Sequence, residues 1–355
     1  MAKQFTAATD PVNLVQKLNK TGLDILKLVV GVMLMTTEGN WFGSNGDIDA
    51  NLELLYKCYQ SGLRTFDTAD TYSNGKSEEL LGMFLKKYKI PRQNVVIMTK
   101  GYFPVLDDVN DSSGLTNDAD ALKIMNRKGL SRKHILEAAK ASYDRLGTYA
   151  DIYQIHRYDP NVSNEEIMKA LNDVVEKGYA TYIGASSMKT YEFIDLQYTA
   201  KLNGWHQFVS MQSYYNLLYR NDEHELNPWC KKHDIALFPW SPNARGLLAV
   251  PWDSEVAKTK LQNEFMTRIL GISPSSESDC EIAKRLELLA EKKKGSMMQV
   301  SLAWLLVKGA NPIVGISKLE YVDEVAGVVD VELTEEDIKY LEEPYVTKAD
   351  APLLD

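Results

Sequence analysis

Ile152-Tyr153-Gln154-Ile155-His156, then residues 163–177, then Tyr182-Ile183-Gly184-Ala185-Ser186 form one full period of the pattern that decides the fold. The outer segments are short and apolar, as strands buried on both faces must be. Between them the apolar residues return at helical spacing. Ser163 followed three residues later by Glu166 reads as a capping box that starts this helix. A strand, a helix and a second strand in that order predict a parallel pair with a crossover.

Outward from this unit, the same alternation runs from Lys27 almost to the end of the chain. Segments 28–32, 64–67, 95–99, 209–212, 236–240 and 312–315 complete a set of eight strands, and Ser77 and Ser131 read as further helix N-caps. Eight parallel strands, each followed by a helix, bury both faces best by closing on themselves. The fold class predicted is therefore α/β, a (β/α)8 TIM barrel, with residues 1–355 as a single domain. An open doubly wound sheet is the alternative, but no two glycines here are separated by a single residue, so the GxGxxG fingerprint is absent. Residues 13–26, alternating around Lys20-Thr21-Gly22, predict an N-terminal β-hairpin at the bottom of the barrel. Two long connections, 101–130 and 243–279, both follow strands and so belong to the C-terminal face, where barrels build their sites. The first reads either as a loose acidic insertion or as a substrate lid.

The 355 residues are 45% hydrophobic and 25% charged, enough for a large core. No apolar run reaches the ~20 residues of a membrane span, and 25–35 is interrupted by Lys27. Residues 1–11 lack the apolar core of a secretory signal, and Pro352-Leu353-Leu354-Asp355 matches no lipidation or peroxisomal address. Cys58, Cys230 and Cys280 are too few and too scattered for a disulfide framework, which fits a reducing compartment. A cytoplasmic location is expected, as a monomer or weak homo-oligomer. The net charge of −9 argues against a nucleic-acid partner. The densest basic run, Lys292-Lys293-Lys294, reads as a solvated helix end stopped by Gly295.

Three predicted strands end in ionisable residues: Asp67, Lys100 and His156. In a barrel all three point at one mouth. Taken singly, each has a bland explanation, as a cap, a solvated strand end and a core histidine. Tyr72 is one of 19 tyrosines beside a Ser73-Asn74-Gly75 turn and says little alone.

Together they resemble the aldo-keto reductase superfamily. The resemblance rests on Gly62-Leu63-Arg64-Thr65-Phe66-Asp67-Thr68-Ala69-Asp70-Thr71-Tyr72, Thr99-Lys100 and Gln154-Ile155-His156. It continues through Tyr182-Ile183-Gly184-Ala185-Ser186-Ser187, Gln212-Ser213-Tyr214-Tyr215-Asn216 and Pro239-Trp240-Ser241-Pro242-Asn243-Ala244-Arg245-Gly246. Within the superfamily the chain is similar to the fungal aryl-alcohol-dehydrogenase-like and versiconal hemiacetal acetate reductase-like members. The resemblance implies an oxidoreductase that reduces aldehydes or ketones to alcohols, with Asp67, Tyr72, Lys100 and His156 as catalytic tetrad and Tyr72 as general acid.

Those residue types suit the chemistry. A hydride added to a carbonyl carbon leaves an alkoxide, which needs a proton and hydrogen bonds. A lysine ammonium ~4 Å from a phenol, at an effective dielectric of ~20, is worth ~4 kcal/mol, whereas lowering the phenol's pKa by about two takes ~2.7 kcal/mol. Lys100 is thus expected to depress Tyr72, with Asp67 keeping the lysine charged and a neutral His156 positioning the carbonyl. No metal is expected.

The resemblance implies NADP(H), with NAD(H) as the alternative. It places Gly31, Val32, Met33 and Asp67 beside the cofactor, Trp240 against the nicotinamide, and Ser186, Ser187 and Gln212 on its carboxamide. Ser241, Pro242, Asn243, Arg245 and Gly246 match the pyrophosphate loop. The adenine end departs from the pattern, because many members have arginine where Tyr321 stands and asparagine where Val325 stands. Ser317 and Lys318 are left to meet a 2′-phosphate, and Glu324 the adenine amine. Met33, Trp41, Phe42, Tyr72, Tyr102, Phe103 and His156 are the expected substrate wall, favouring an aromatic or aliphatic aldehyde. Potassium-channel beta subunits, which share this fold and cofactor as binding modules, are the competing reading, although they often carry N-terminal arms longer than the residues before Leu14. A metal-dependent barrel hydrolase ranks last, since His134, His156, His206, His224 and His233 are dispersed.

Overall fold

The computed structural model describes residues 14–39, 41–116, 120–263 and 270–350. Strands β1 (Val15–Lys17) and β2 (Asp24–Leu26) pair antiparallel, with Gln16 opposite Ile25. Eight parallel strands follow: β3 (Val29–Gly31), β4 (Thr65–Asp67), β5 (Val96–Gly101), β6 (Ala150–Ile155), β7 (Ala180–Ser186), β8 (Phe208–Gln212), β9 (Ala236–Leu237) and β10 (Ile313–Gly315). Their order is β10-β3-β4-β5-β6-β7-β8-β9. Two backbone bonds close the ring from β9 to β10, Asn311 N to Leu237 O at 2.8 Å and Ile313 N to Pro239 O at 2.9 Å. All eight expected strands are present. The seventh is shorter than expected because Pro239 has no N–H to donate to a ladder.

The two-residue period of a strand divides the barrel interior into layers. Val96 and Met98 of β5 and Ile152 of β6 pack with Val29, Ala236, Phe238 and Ile313 in a lower apolar layer. Leu18 and Ile25 of the hairpin belong to the same cluster, so the hairpin closes the barrel floor. Two residues further along, the same strand faces present Lys100 and Gln154. Gly184 permits this packing, since a Cβ there would lie 2.4 Å from Ser210 Oγ and 3.1 Å from Gln154 Cγ. Outside the strands, two larger apolar clusters join the sheet to its helices.

Several helix ends differ from expectation. Ser163 caps the helix Asn164–Glu176 through Glu166 N, but Glu166 turns its carboxylate to Arg132 N at 2.8 Å, so the box is half-made. Ser131 caps the helix Arg132–Leu146. Ser77 lies inside the helix Lys76–Lys87, whose cap is Gly75, and its hydroxyl bonds Val32 O at 3.0 Å. The left-handed residue ending the helix Glu277–Lys293 is Lys294, not Gly295, and Lys293 pairs with Asp337 at 2.6 Å rather than standing in solvent.

The two long connections are partly structured. Asn74 holds the first one, its Nδ2 donating to the carbonyls of Asp108 and Asp111 at 2.8 Å and its Oδ1 accepting from Leu106 N. The second contains the 3-10 helix Ala244–Ala249 and the helix Glu255–Leu261, where a continuous loop was expected. Asn13 of the hairpin, residues 1–11, part of each long connection and residues 352–355 lie outside the described residues. No helix among the described residues is long and apolar enough to cross a membrane.

Leu18 has no exposed surface, and Leu18→Ala should cost about 2–5 kcal/mol of stability. Urea unfolding checks this; an unchanged midpoint would mean that the hairpin lies outside the cooperative core.

Candidate active site

Beyond β4 the chain keeps pace with β5, with Thr68 N bonded to Met98 O at 2.8 Å and Asp70 N to Lys100 O at 3.0 Å. The turn Tyr72–Gly75 then bends the backbone back, with left-handed Ser73 and Asn74 and a glycine whose Cβ would strike Arg145 at 2.7 Å. This carries the Tyr72 hydroxyl to Lys100 at the end of β5. Lys100 Nζ donates to Asp67 Oδ2 at 2.7 Å, Thr68 O at 2.8 Å and the Tyr72 hydroxyl at 3.3 Å. The Tyr72 ring lies between Trp41 and His156, with centroid distances of 6.0 and 5.8 Å. Asp67, Tyr72, Lys100 and His156 therefore lie together at one mouth.

Burial decides the protonation of the group. It raises the Tyr72 phenol, and the lowering effect of Lys100 does not overcome it, the more so because Asp67 acts in the opposite sense. The expected depression of Tyr72 is thus reversed. A lysine bonded to a carboxylate presents the field of a pair, not of a lone cation. Burial also acts against the Lys100 ammonium, but Asp67 and Tyr72 outweigh it and hold its pKa above the ordinary lysine value. His156 is pushed well below the usual imidazole range by burial, then by Lys100 and Arg157. Its Nδ1 is buried without a partner, so a proton there would be an unsatisfied donor, and the neutral tautomer protonated at Nε2 is favoured. Asp70, also close to Lys100, is raised far above the carboxylate range by burial and Glu78, so Asp67 alone serves as counter-ion.

Asp67 Oδ1 accepts from Gln212 Nε2 at 2.9 Å and Gln154 Nε2 at 3.2 Å. This carboxylate thus joins β4, β5, β6 and β8. Gly31 stands in register with Asp67 and Gly315, Val32 N bonds Asp67 O at 3.0 Å, and Met33 is half-buried at the rim. Ser186 ends β7 and Ser187 follows it, with hydroxyls 3.3 Å apart, and Ser187 Oγ accepts from Trp240 Nε1 at 3.1 Å. Trp240 stacks on Tyr214 at 4.7 Å between centroids and keeps partial exposure, so one indole face is covered and the other is available to a planar ring.

The segment after Trp240 is a backbone-strained loop. Ser241, Ala244, Arg245 and Gly246 all have positive φ, from 46° to 89°, and Pro242 and Asn243 lie within this run. Non-glycine residues held in this region cost about 1–3 kcal/mol each, and within the loop Ala244 N bonds Ser241 O at 2.9 Å and Gly246 N bonds Asn243 O at 2.7 Å. Asn243 Oδ1 is buried without a partner. Lys260 Nζ reaches Arg245 O at 2.9 Å, and burial followed by the Arg245 charge lowers its pKa. Two cations brought together at this loop suit a pyrophosphate.

Ser317, Lys318, Tyr321 and Glu324 lie beyond β10. Lys318 is exposed, 3.5 Å from an exposed Glu320 and over the Tyr321 ring, while Glu324 O accepts from Gln299. Among the expected wall residues, Trp41 is fully buried behind Tyr72, whereas Tyr102 and Phe103 are half-buried and Phe103 meets His156 edge-on at 5.2 Å. The side chain of Phe42 lies outside the described residues. Sequence reasoning missed Gln154, Tyr214, Arg157 and Lys260. The two-residue spacing from His156 offered a signal for Gln154, and none existed for the other three.

The Aldo/keto reductase family model matches residues 27–345. The chain is 49% identical to the versiconal hemiacetal acetate reductase of Aspergillus parasiticus over 95% of its own length and 98% of that protein's. It is 48% identical to a Saccharomyces cerevisiae protein provisionally named aryl-alcohol dehydrogenase, over 93% and 96%. A crystal structure of a thermostable aldo-keto reductase in complex with the inhibitor epalrestat superposes with a TM-score of 0.70 at 25% identity, covering 93% of this chain and 99% of that one.

Lys100→Met should destabilise the protein by about 3–5 kcal/mol, because it leaves Asp67 charged and buried. The double variant Asp67→Asn/Lys100→Met should recover a large part of that loss. Denaturant titration of the three variants checks it, and equal losses in single and double variants would contradict a tightly coupled pair.

Proposed function

The chain belongs to the aldo/keto reductase family, and on that premise we propose that it is an NADP(H)-dependent reductase of aldehydes and ketones with Tyr72 as general acid. The observation that carries this reading is the Tyr72 hydroxyl 3.3 Å from Lys100 Nζ, which is bonded to Asp67, beside a neutral His156. When bound, the nicotinamide supplies the hydride. The chain's own residues manage the oxygen. His156 Nε2–H and the Tyr72 O–H hold the substrate carbonyl, and Tyr72 passes its proton to the oxygen as charge develops. Lys100 stabilises the phenolate left behind, and Asp67 keeps the ammonium charged and aimed. The half-exposed face of Trp240, with Ser186, Ser187 and Gln212, holds the ring and its carboxamide; Asn243, Arg245, Gly246 and Lys260 take the pyrophosphate.

Preference for NADP(H) rests on Lys318 and Ser317, with Tyr321 and Glu324 beside the adenine. An aromatic aldehyde is the favoured substrate class, in keeping with the names of the relatives and the aromatic wall of Tyr102 and Phe103. A cytoplasmic setting belongs to the same proposal and is supported by three free cysteines, two of them buried.

Purified protein should oxidise NADPH with aryl aldehydes, and Tyr72→Phe should lower kcat by about 10²–10⁴. Full activity in that variant would remove Tyr72 as the acid. Since Tyr72 sits above its usual ~10 and His156 well below ~6.5, neither changes charge between them. Reduction should thus be flat from about pH 6.5 to 9, while alcohol oxidation, which needs the phenolate, rises throughout; a reduction profile that bends near neutrality would contradict these proton states. Lys318→Glu should raise KM for NADPH several-fold and leave that for NADH nearly unchanged, measured by initial rates. Equal effects on the two would place the 2′-phosphate elsewhere.

A further inference from the structure

Arg157 follows His156 at the end of β6, and its guanidinium is held differently from those of Arg92, Arg145 and Arg220. Arg92 pairs with Asp151, Arg145 with Glu78, and Arg220 with Glu223 and Glu342. Arg157 meets no carboxylate among the described residues. Its Nη1 donates to the carbonyl of His156 at 2.6 Å, and its Cζ lies 5.7 Å from the centroid of Phe103. Phe103 also meets the rings of Tyr102 and His156 edge-on, so guanidinium and imidazole share one aromatic wall. The charge of Arg157 is felt at Tyr72, Tyr102 and His156, the groups around the mouth. Burial pushes the guanidinium itself down to about 10, as expected for a cation that has lost water without gaining an anion.

A covered guanidinium with donors to spare beside the reacting carbonyl is a receptor for an anion. We propose that Arg157 is a specificity residue of this site, which selects aromatic aldehydes carrying a carboxylate by binding that carboxylate while Tyr72 and His156 hold the aldehyde oxygen. This rests on the carbonyl-reductase reading above. Phe103 supplies the face on which the aromatic ring of such a substrate lies, and the fork of Arg157 supplies the charge.

The test compares carboxybenzaldehydes with their methyl esters, which differ in charge but little in shape. Wild-type protein should favour the acid in kcat/KM by about ten- to hundred-fold, the range of a charge-assisted hydrogen-bonded pair. Arg157→Gln should lose that preference through a higher KM for the acid while the ester changes less than about three-fold, and Arg157→Lys should keep part of it. Thermal melts confirm that both variants fold. An unchanged acid-to-ester ratio, or no preference in the wild type, overturns the proposal, as does a loss of NADPH affinity that accounts for the whole effect. Calorimetric titration of NADP-loaded protein with benzoate and with benzamide gives a readout without turnover. Benzoate binding at least about ten-fold weaker in Arg157→Gln supports the anion site even if no aldehyde is reduced, whereas equal binding in both proteins overturns it.

Discussion

The buried ion pair between Lys100 and Asp67 is the constraint around which the upper barrel is arranged. Removing both charges from water costs several kcal/mol per ion, and their mutual attraction offsets this only if the remaining donors and acceptors are also satisfied. They are. Lys100 spends its other hydrogens on Thr68 O and Tyr72, and Asp67 takes Gln154 and Gln212 on its second oxygen. Asp67, Lys100, Gln154 and Gln212 come from four different strands. The closed barrel, with its strands staggered, is what brings these four side chains together above an apolar layer capped by the hairpin.

The same low-dielectric setting assigns the protons. Desolvation moves an acid up and an imidazole down, so Tyr72 keeps its proton and His156 declines one. Because Asp67 neutralises Lys100, the lysine orients the phenol more than it acidifies it. Beyond Trp240, Ser241, Ala244, Arg245 and Gly246 are held at positive φ, and Lys260 reaches the carbonyl of Arg245. Such backbone persists only where the surrounding structure over-determines it, here the loop fastened by Asn216 to Ser241 O at 3.1 Å.

Strand number, strand order, the floor hairpin and the residues of the mouth were legible in the amino-acid sequence. Periods of two and near four reflect which faces must be dry, and an ionisable residue after an apolar run marks a strand's end. Asp67, Lys100 and His156 were found that way, and Tyr72 through the motif it shares with a known family. Local competition was less legible. Ser77, Glu166 and Gly295 carry the right residue types for helix ends, yet tertiary partners at Val32 and Arg132 and a left-handed Lys294 drew them into other roles.

What only the tertiary structure decided is electrostatic and long-range. The sign of the Tyr72 shift depends on how much water is excluded and on whether Lys100 faces the phenol alone or already paired, and neither is encoded locally. Gln154 and Gln212 meet Asp67 from strands 87 and 145 residues away in sequence. Arg157 is just the residue after a histidine until the fold covers its guanidinium and, among the described residues, brings no carboxylate to it. The sequence determined which groups reach the mouth, because strand period and burial are local properties. Their charges and partners were decided by the closed barrel, because desolvation and Coulomb interaction depend on everything packed around them.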